Sequence, residues 1–196
     1  MPNPAPAWLN AAIPGPADGL GRLALASLAD ERAMGRGLSL KSAAFANGEE
    51  LDPSFTATEE DAVAPPLEWA GPPPGTQEVV LVVQSPDGEG APVTHWIVWG
   101  LPGQKGQLLE GEAPPRVGKN SAGNSEWMLP NPPAGAAPRR YVFQLFALDL
   151  PITLMPGATL DELLDSCRGH VTAATALTAT FAHDGEDETW DDEELD

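Results

Sequence analysis

Arg140-Tyr141-Val142-Phe143-Gln144-Leu145-Phe146-Ala147-Leu148-Asp149-Leu150 is the stretch on which the fold turns. Side chains alternate across a β-strand, so Tyr141, Phe143, Leu145 and Ala147 share one face. Val142, Gln144, Phe146 and Leu148 share the other. Both rows are largely apolar, which is the pattern of a strand covered on two sides. The run is also rich in aromatic and branched side chains, which fit a pleated surface better than a helix.

Working outward, Glu78 to Gln84 reads Glu-Val-Val-Leu-Val-Val-Gln, a second central strand, and Thr94 to Leu101 a third. Leu38 to Lys41 alternates, and Phe45 and Gly48 mark a strand end and a turn. Pro65-Pro66-Leu67-Glu68-Trp69 reads as extended, because proline lacks a donor and steers its predecessor away from helix. Near the C-terminus, Thr159-Leu160-Asp161-Glu162 has the spacing of a capping box. Leu160, Leu163 and Leu164 follow as an apolar stripe, and Gly169 closes a helix over 159–168. Residues 172–181 read as a final strand. Before the strands, the spacing of Leu20, Leu23, Leu28 and Met34 predicts a helix from about Gly19 to Met34 capped by Asp18. It would pack on this domain or on a twin. Residues 1–17, rich in Pro, Ala and Asn, read as a flexible leader.

The 22 prolines and 20 glycines make up about a fifth of the 196 residues, which suits short strands joined by turns. The expected architecture is mainly β, an antiparallel or mixed β-sandwich with a C-terminal helix and an N-terminal helical extension. Its parts are a leader and helix over 1–37, a sandwich domain over 38–183 and an acidic tail over 184–196. Nine of the last thirteen residues are acidic with no basic residue among them, so the tail reads as disordered and solvated.

A net charge of −19 argues against wrapping nucleic acid or adhering to an anionic membrane. No apolar run approaches the ~20 residues of a membrane span. No basic and apolar leader marks a signal peptide, so the expected location is cytoplasmic. Cys167 is the single cysteine, and with three scattered histidines it offers no metal-ligand spacing. No cofactor is expected. There is no Gly-x-Ser-x-Gly elbow, phosphate loop or dinucleotide fingerprint, so the chain reads as no enzyme.

Two clusters meet the ends of the apolar runs: Ser85-Pro86-Asp87 with His95-Trp96, and Pro132-Pro133-Ala134-Gly135 with Arg139-Arg140-Tyr141. A carboxylate, an imidazole, a phenol and a guanidinium gathered at strand ends suit the binding of an anionic group. Each residue also has a plain structural reading. His95 can be a buried histidine bonded to a carbonyl, Asp87 an ordinary turn residue and Tyr141 core. At least one of Arg139 and Arg140 is expected in solvent, since neighbours on a strand face opposite ways. His170 and His183 read as surface or cap residues without partners.

Taken in order, Phe45…Gly48, Pro65-Pro66-Leu67-Glu68-Trp69, Pro86-Asp87…His95-Trp96, Gly118-Lys119-Asn120 and Pro132-Pro133-Ala134-Gly135…Arg140 to Asp149 resemble the phosphatidylethanolamine-binding protein family, specifically its bacterial Raf-kinase-inhibitor-like branch. The resemblance spans about residues 38–183. It implies a β-sandwich with a small pocket for phosphate-like head groups, built from an Asp-Pro-Asp-Ala-Pro motif, a following His and a His-Arg-Tyr motif. By position Asp87, His95 and Tyr141 match that pattern. Ser85 stands where the first Asp is expected, and Arg139 where the motif His is expected.

Those two departures shift the pocket toward positive charge. Ser85 can still donate to an oxyanion, and Arg139 can hold one as a fork. The expected ligand site is Asp87, His95, Tyr141, Arg139, Ser85 and Pro132, with Asp87 orienting His95. The expected function is non-enzymatic binding of a small anion or phosphorylated ligand, with a regulatory role open. The alternative is an interaction protein with a vestigial pocket, acting through its N-terminal helix or acidic tail. A protein partner or a homodimer stays open on either reading.

Overall fold

The computed structural model describes residues 4–184. The long apolar run forms β7 (Arg139–Leu148), paired along its whole length with β8 (Val171–Phe181) and from Val142 to Leu148 with β3 (Glu78–Ser85). On its other edge β3 pairs with β4 (Val93–Pro102), which in turn carries the short β6 (Arg116–Val117). The resulting five-stranded antiparallel sheet runs β6-β4-β3-β7-β8. A second sheet, also antiparallel, consists of β1 (Ser39–Lys41), β2 (Leu67–Ala70) and β5 (Gly106–Leu108) in the order β1-β2-β5.

The two faces expected of β7 are both buried, each in its own core. Tyr141, Phe143, Leu145 and Ala147 pack with Val79, Leu81, Val83, Trp96 and the inward residues of the small sheet, Leu40, Leu67, Trp69 and Leu108. Val142, Phe146 and Leu148 pack with Val80, Val82, Ile97 and Trp99 under a helical layer. That layer includes α4 (Leu160–Cys167), whose capping box between Thr159 and Glu162 is fully formed and whose Leu163 and Cys167 are buried. The fold is therefore the expected mainly β arrangement with a C-terminal helix.

The N-terminal region departs from the sequence reading. The predicted leader contains α1 (Ala7–Ala12), and Leu9 and Ile13 are fully buried against the large sheet. The predicted single helix over 19–34 is instead a 3-10 turn at Leu20–Arg22, then α2 (Ala24–Leu28) and α3 (Glu31–Met34). Asp30, not Asp18, supplies a side-chain cap, accepting from the Ala33 N–H at 2.9 Å.

The physical cause of the break lies on the sheet. Gln84 Oε1 accepts from the Ala24 N–H at 2.8 Å and Gln144 Oε1 from the Leu25 N–H at 2.7 Å. Two buried glutamines thus satisfy the first amides of α2 and fix where that helix begins. Leu20, Leu23 and Leu25 are buried in the chain's own core, not left facing a twin. The expected acidic tail falls, from residue 185 onward, outside the described residues.

Candidate functional site

The end of β3 lies beside the starts of β4 and β7 in the large sheet. The β3–β7 register ends with Gln84 paired to Val142, so Ser85 and Tyr141 come next along the two strands, and beyond them Asp87 accepts from the Arg140 N–H. On the other edge Val83 pairs with Trp96 while Gln84 pairs with Thr94, so His95 is an extra residue in β4. Such a bulge re-aims a side chain. Here it turns His95 onto the face of Trp96 and Tyr141, and the His95 and Tyr141 rings meet edge to face with centroids 5.0 Å apart.

His95 is held by the loop before β7. Its Nδ1 lies 2.7 Å from the Met128 carbonyl, and the Met128 N–H returns a bond to the His95 carbonyl at 2.8 Å. A carbonyl only accepts, so Nδ1 carries the proton and Nε2 is the lone-pair nitrogen of the neutral ring. Burial pushes the His95 pKa below the ordinary histidine value, partly opposed by the Met128 carbonyl. At neutral pH the ring is therefore uncharged, and Nε2 accepts rather than donates.

Tyr141 stays protonated: burial pushes its phenol up to about 12, with Arg139 pulling down and Asp87 pushing up. Arg139, half-buried, shares that neighbourhood, since a Cβ placed on Gly88 would lie 3.7 Å from its Nη1. Ser85 is the odd member. Its Oγ is buried and has no hydrogen-bond partner among the described residues. Unpaired buried hydroxyls are uncommon, because leaving one unmade costs desolvation. Pro132 is buried in the loop leading into β7.

Two expectations are corrected here. Asp87 does not orient His95. Its carboxylate is taken by Arg140, whose backbone N–H reaches Oδ2 at 2.6 Å, Nε reaches Oδ2 at 3.1 Å and Nη2 reaches Oδ1 at 2.7 Å. Nor is either arginine fully solvated: Arg140 is 4% exposed, with its guanidinium also donating to the Pro14, Pro16 and Asp18 carbonyls. Asp87 and Arg140 belong to the structural seam between the N-terminal segment and the sheet. At that seam the chain comes so close that a Cβ on Gly19, at φ +78°, would meet the Pro86 carbonyl oxygen at 2.5 Å.

The histidines outside the cluster do have partners: His170 Nδ1 lies 2.9 Å from Asp149, and His183 Nε2 lies 2.9 Å from Asn131. Met128 and Trp127 were missed by sequence reasoning as supports of His95. Nothing in their local pattern signals a contact that only loop closure creates. Arg140 was legible in principle, since it shares the Val142 and Gln144 row that faces the N-terminal layer.

With this geometry in place, the comparisons decide the family. The phosphatidylethanolamine-binding protein profile matches residues 41–182. The chain belongs to that family. A Mycobacterium tuberculosis protein named as lipoprotein LppC is 34% identical over 146 residues, covering 74% of this chain and 72% of its own. A UPF0098 protein of Methanothermobacter thermautotrophicus is 29% identical over 154 residues, covering 74% of this chain and 98% of its own, so the similarity reaches beyond bacteria.

Among solved structures, the phosphatidylethanolamine-binding protein homologue CT736 of Chlamydia trachomatis superposes with a TM-score of 0.71. It is 30% identical over 76% of this chain and 99% of its own. YbcL of Escherichia coli, at 22% identity and a TM-score of 0.67 over 74% of this chain and 98% of its own, shares the fold. Among the described residues no helix is long and apolar enough to cross a membrane.

Proposed function

We propose that this member of the phosphatidylethanolamine-binding protein family is a non-enzymatic binding module for a small anion, a phosphate or phosphate-like head group. The ligand sits at the ends of β3, β4 and β7. Arg139 supplies the fixed charge, Tyr141 and Ser85 donate hydroxyl hydrogens, and His95 Nε2 faces the ligand. Pro132 forms part of the apolar wall.

The observation that carries the reading is the buried Ser85 Oγ, without a hydrogen-bond partner among the described residues, at the end of β3 beside the starts of β4 and β7. A ligand oxygen is the partner such a hydroxyl lacks. The family name points to the same head-group chemistry.

The neutral state of His95 adds a condition. Nε2 can accept from a protonated phosphate oxygen, or donate to an oxyanion once the ring itself takes up a proton. Either way binding is proton-linked. Asp87 makes no ligand contact and acts as the counter-charge of Arg140.

The test is a thermal melt of the full chain with inorganic phosphate and with O-phosphoethanolamine. A ligand that binds only the folded state raises Tm as its concentration rises. The expected result is a rise with both compounds that Arg139→Ala abolishes. A rise that survives Arg139→Ala, or none at millimolar phosphate, rejects the proposal.

A further inference from the structure

A cavity of about 680 Å³ lies between the loop at residues 57–64 and the long loop at 111–131, and its lining includes Trp127 and Met128, both neighbours of His95. Its size falls within the roughly 300–1,000 Å³ typical of small-molecule sites. Trp96 and Trp127 line it, their rings edge to face with centroids 5.6 Å apart. Trp127 is fixed in place: its Nε1 donates to the Phe55 carbonyl at 3.2 Å and its ring stacks on Phe143. The aromatic wall is therefore preformed.

The charge of this cavity is opposite to that of the Arg139 cluster. Among the described residues no lysine, arginine or histidine lines it, while Glu112 and Glu126 do. Both glutamates are exposed. The Glu112 carboxylate is tethered, accepting from the Leu109 N–H at 2.6 Å, so its negative charge is held at the rim. Indole faces attract cations through their quadrupole, and the two carboxylates add to that attraction.

We infer that this cavity is a second binding site, for a small organic cation: a primary amine carrying an aromatic or compact apolar body. The body fills the space against Trp96 and Trp127, and the ammonium lies toward Glu126. The site is separate from the anion site and does not depend on it. Trp96, Trp127 and Met128 line this cavity and also neighbour His95.

The experiment uses two probes with the same ring and opposite charge, tryptamine and indole-3-propionate. Each is titrated into the full chain while heat and the Trp127 indole N–H resonance are followed. Tryptamine is expected to bind saturably and to move the Trp127 signal, about tenfold more tightly than indole-3-propionate. Ala113→Trp, at an exposed lining position, should abolish binding while Tm holds. Glu126→Lys should erase or reverse the order of the two probes, and Arg139→Ala should leave tryptamine binding unchanged. Equal affinity for the two probes, no saturable binding of either, or tryptamine binding indifferent to Glu126→Lys overturns the inference. Loss of tryptamine binding in Arg139→Ala would instead assign the amine to the other site, and overturns it as well.

Discussion

Arg140 grips Asp87 with its backbone N–H, at 2.6 Å, and with its guanidinium, at 2.7 Å, while the same guanidinium reaches across to three carbonyls of the N-terminal segment. The arginine side chain is 5% exposed and the aspartate 23%. Removing one partner of a buried pair leaves an uncompensated charge, which typically costs about 3–5 kcal/mol. Arg140→Ala should therefore lower the unfolding free energy by about that amount in urea. Arg140→Lys should recover only part of it, because an ammonium cannot reproduce the fork. A loss below about 1 kcal/mol would show that the seam between the N-terminal segment and the sheet is not held by this pair.

The glutamine pair makes a sharper claim about the same seam. Gln144→Leu keeps the volume but leaves the Leu25 N–H without its acceptor, and an unmade buried bond costs about 1–3 kcal/mol. Hydrogen exchange at Leu25 should quicken in this variant more than exchange along β7. Uniform acceleration across the sheet would mean that Gln144 matters through packing alone.

His95 gives the pH dependence a sign. Its folded-state pKa is depressed, chiefly by burial. Below its ordinary value of about 6.5 the unfolded chain therefore binds the proton more readily than the folded one. The stability contributed by the neutral ring is fully present above that value and is lost as pH falls through it toward the folded pKa. Urea midpoints should fall from pH 7 toward pH 5 in the natural protein and fall less in His95→Gln. An identical slope in both would remove His95 from the account.

At the anion site the same depression shifts an expectation. Arg139→Ala should weaken anion binding more than His95→Gln at pH 8, where the imidazole is neutral. The two losses should become comparable only at a pH below the ordinary histidine value, since burial delays protonation of the ring. Sulfate is the suitable probe, because its own charge does not change over this range. Comparable losses already at pH 8 would contradict a neutral His95.

How much of this was legible in the sequence follows from what kind of signal each feature leaves. The three central strands and α4 are written in local periodicity and capping chemistry, and residues 139–148 show both apolar rows that the two cores bury. The bulge at His95 leaves no such trace. Its register shift arises from pairing with β3, which no local pattern around His95 announces, and yet it is what turns the imidazole toward Tyr141. The N-terminal segment was misread because Leu9 and Ile13 are isolated among Pro, Ala and Asn. A single i, i+4 apolar pair in so short a segment looks like linker until a sheet face is there to receive it. Asp87 was misassigned for a related reason: proximity in sequence to His95 said nothing of Arg140, which arrives from another strand.

The most direct test of the anion-binding account is the titration of His95 itself, followed by its imidazole resonances with and without saturating sulfate. An oxyanion at Nε2 favours the protonated ring, so the account predicts a depressed pKa in the free protein that rises on adding sulfate, with the rise lost in Arg139→Ala. A His95 titration curve that sulfate leaves unmoved would contradict it.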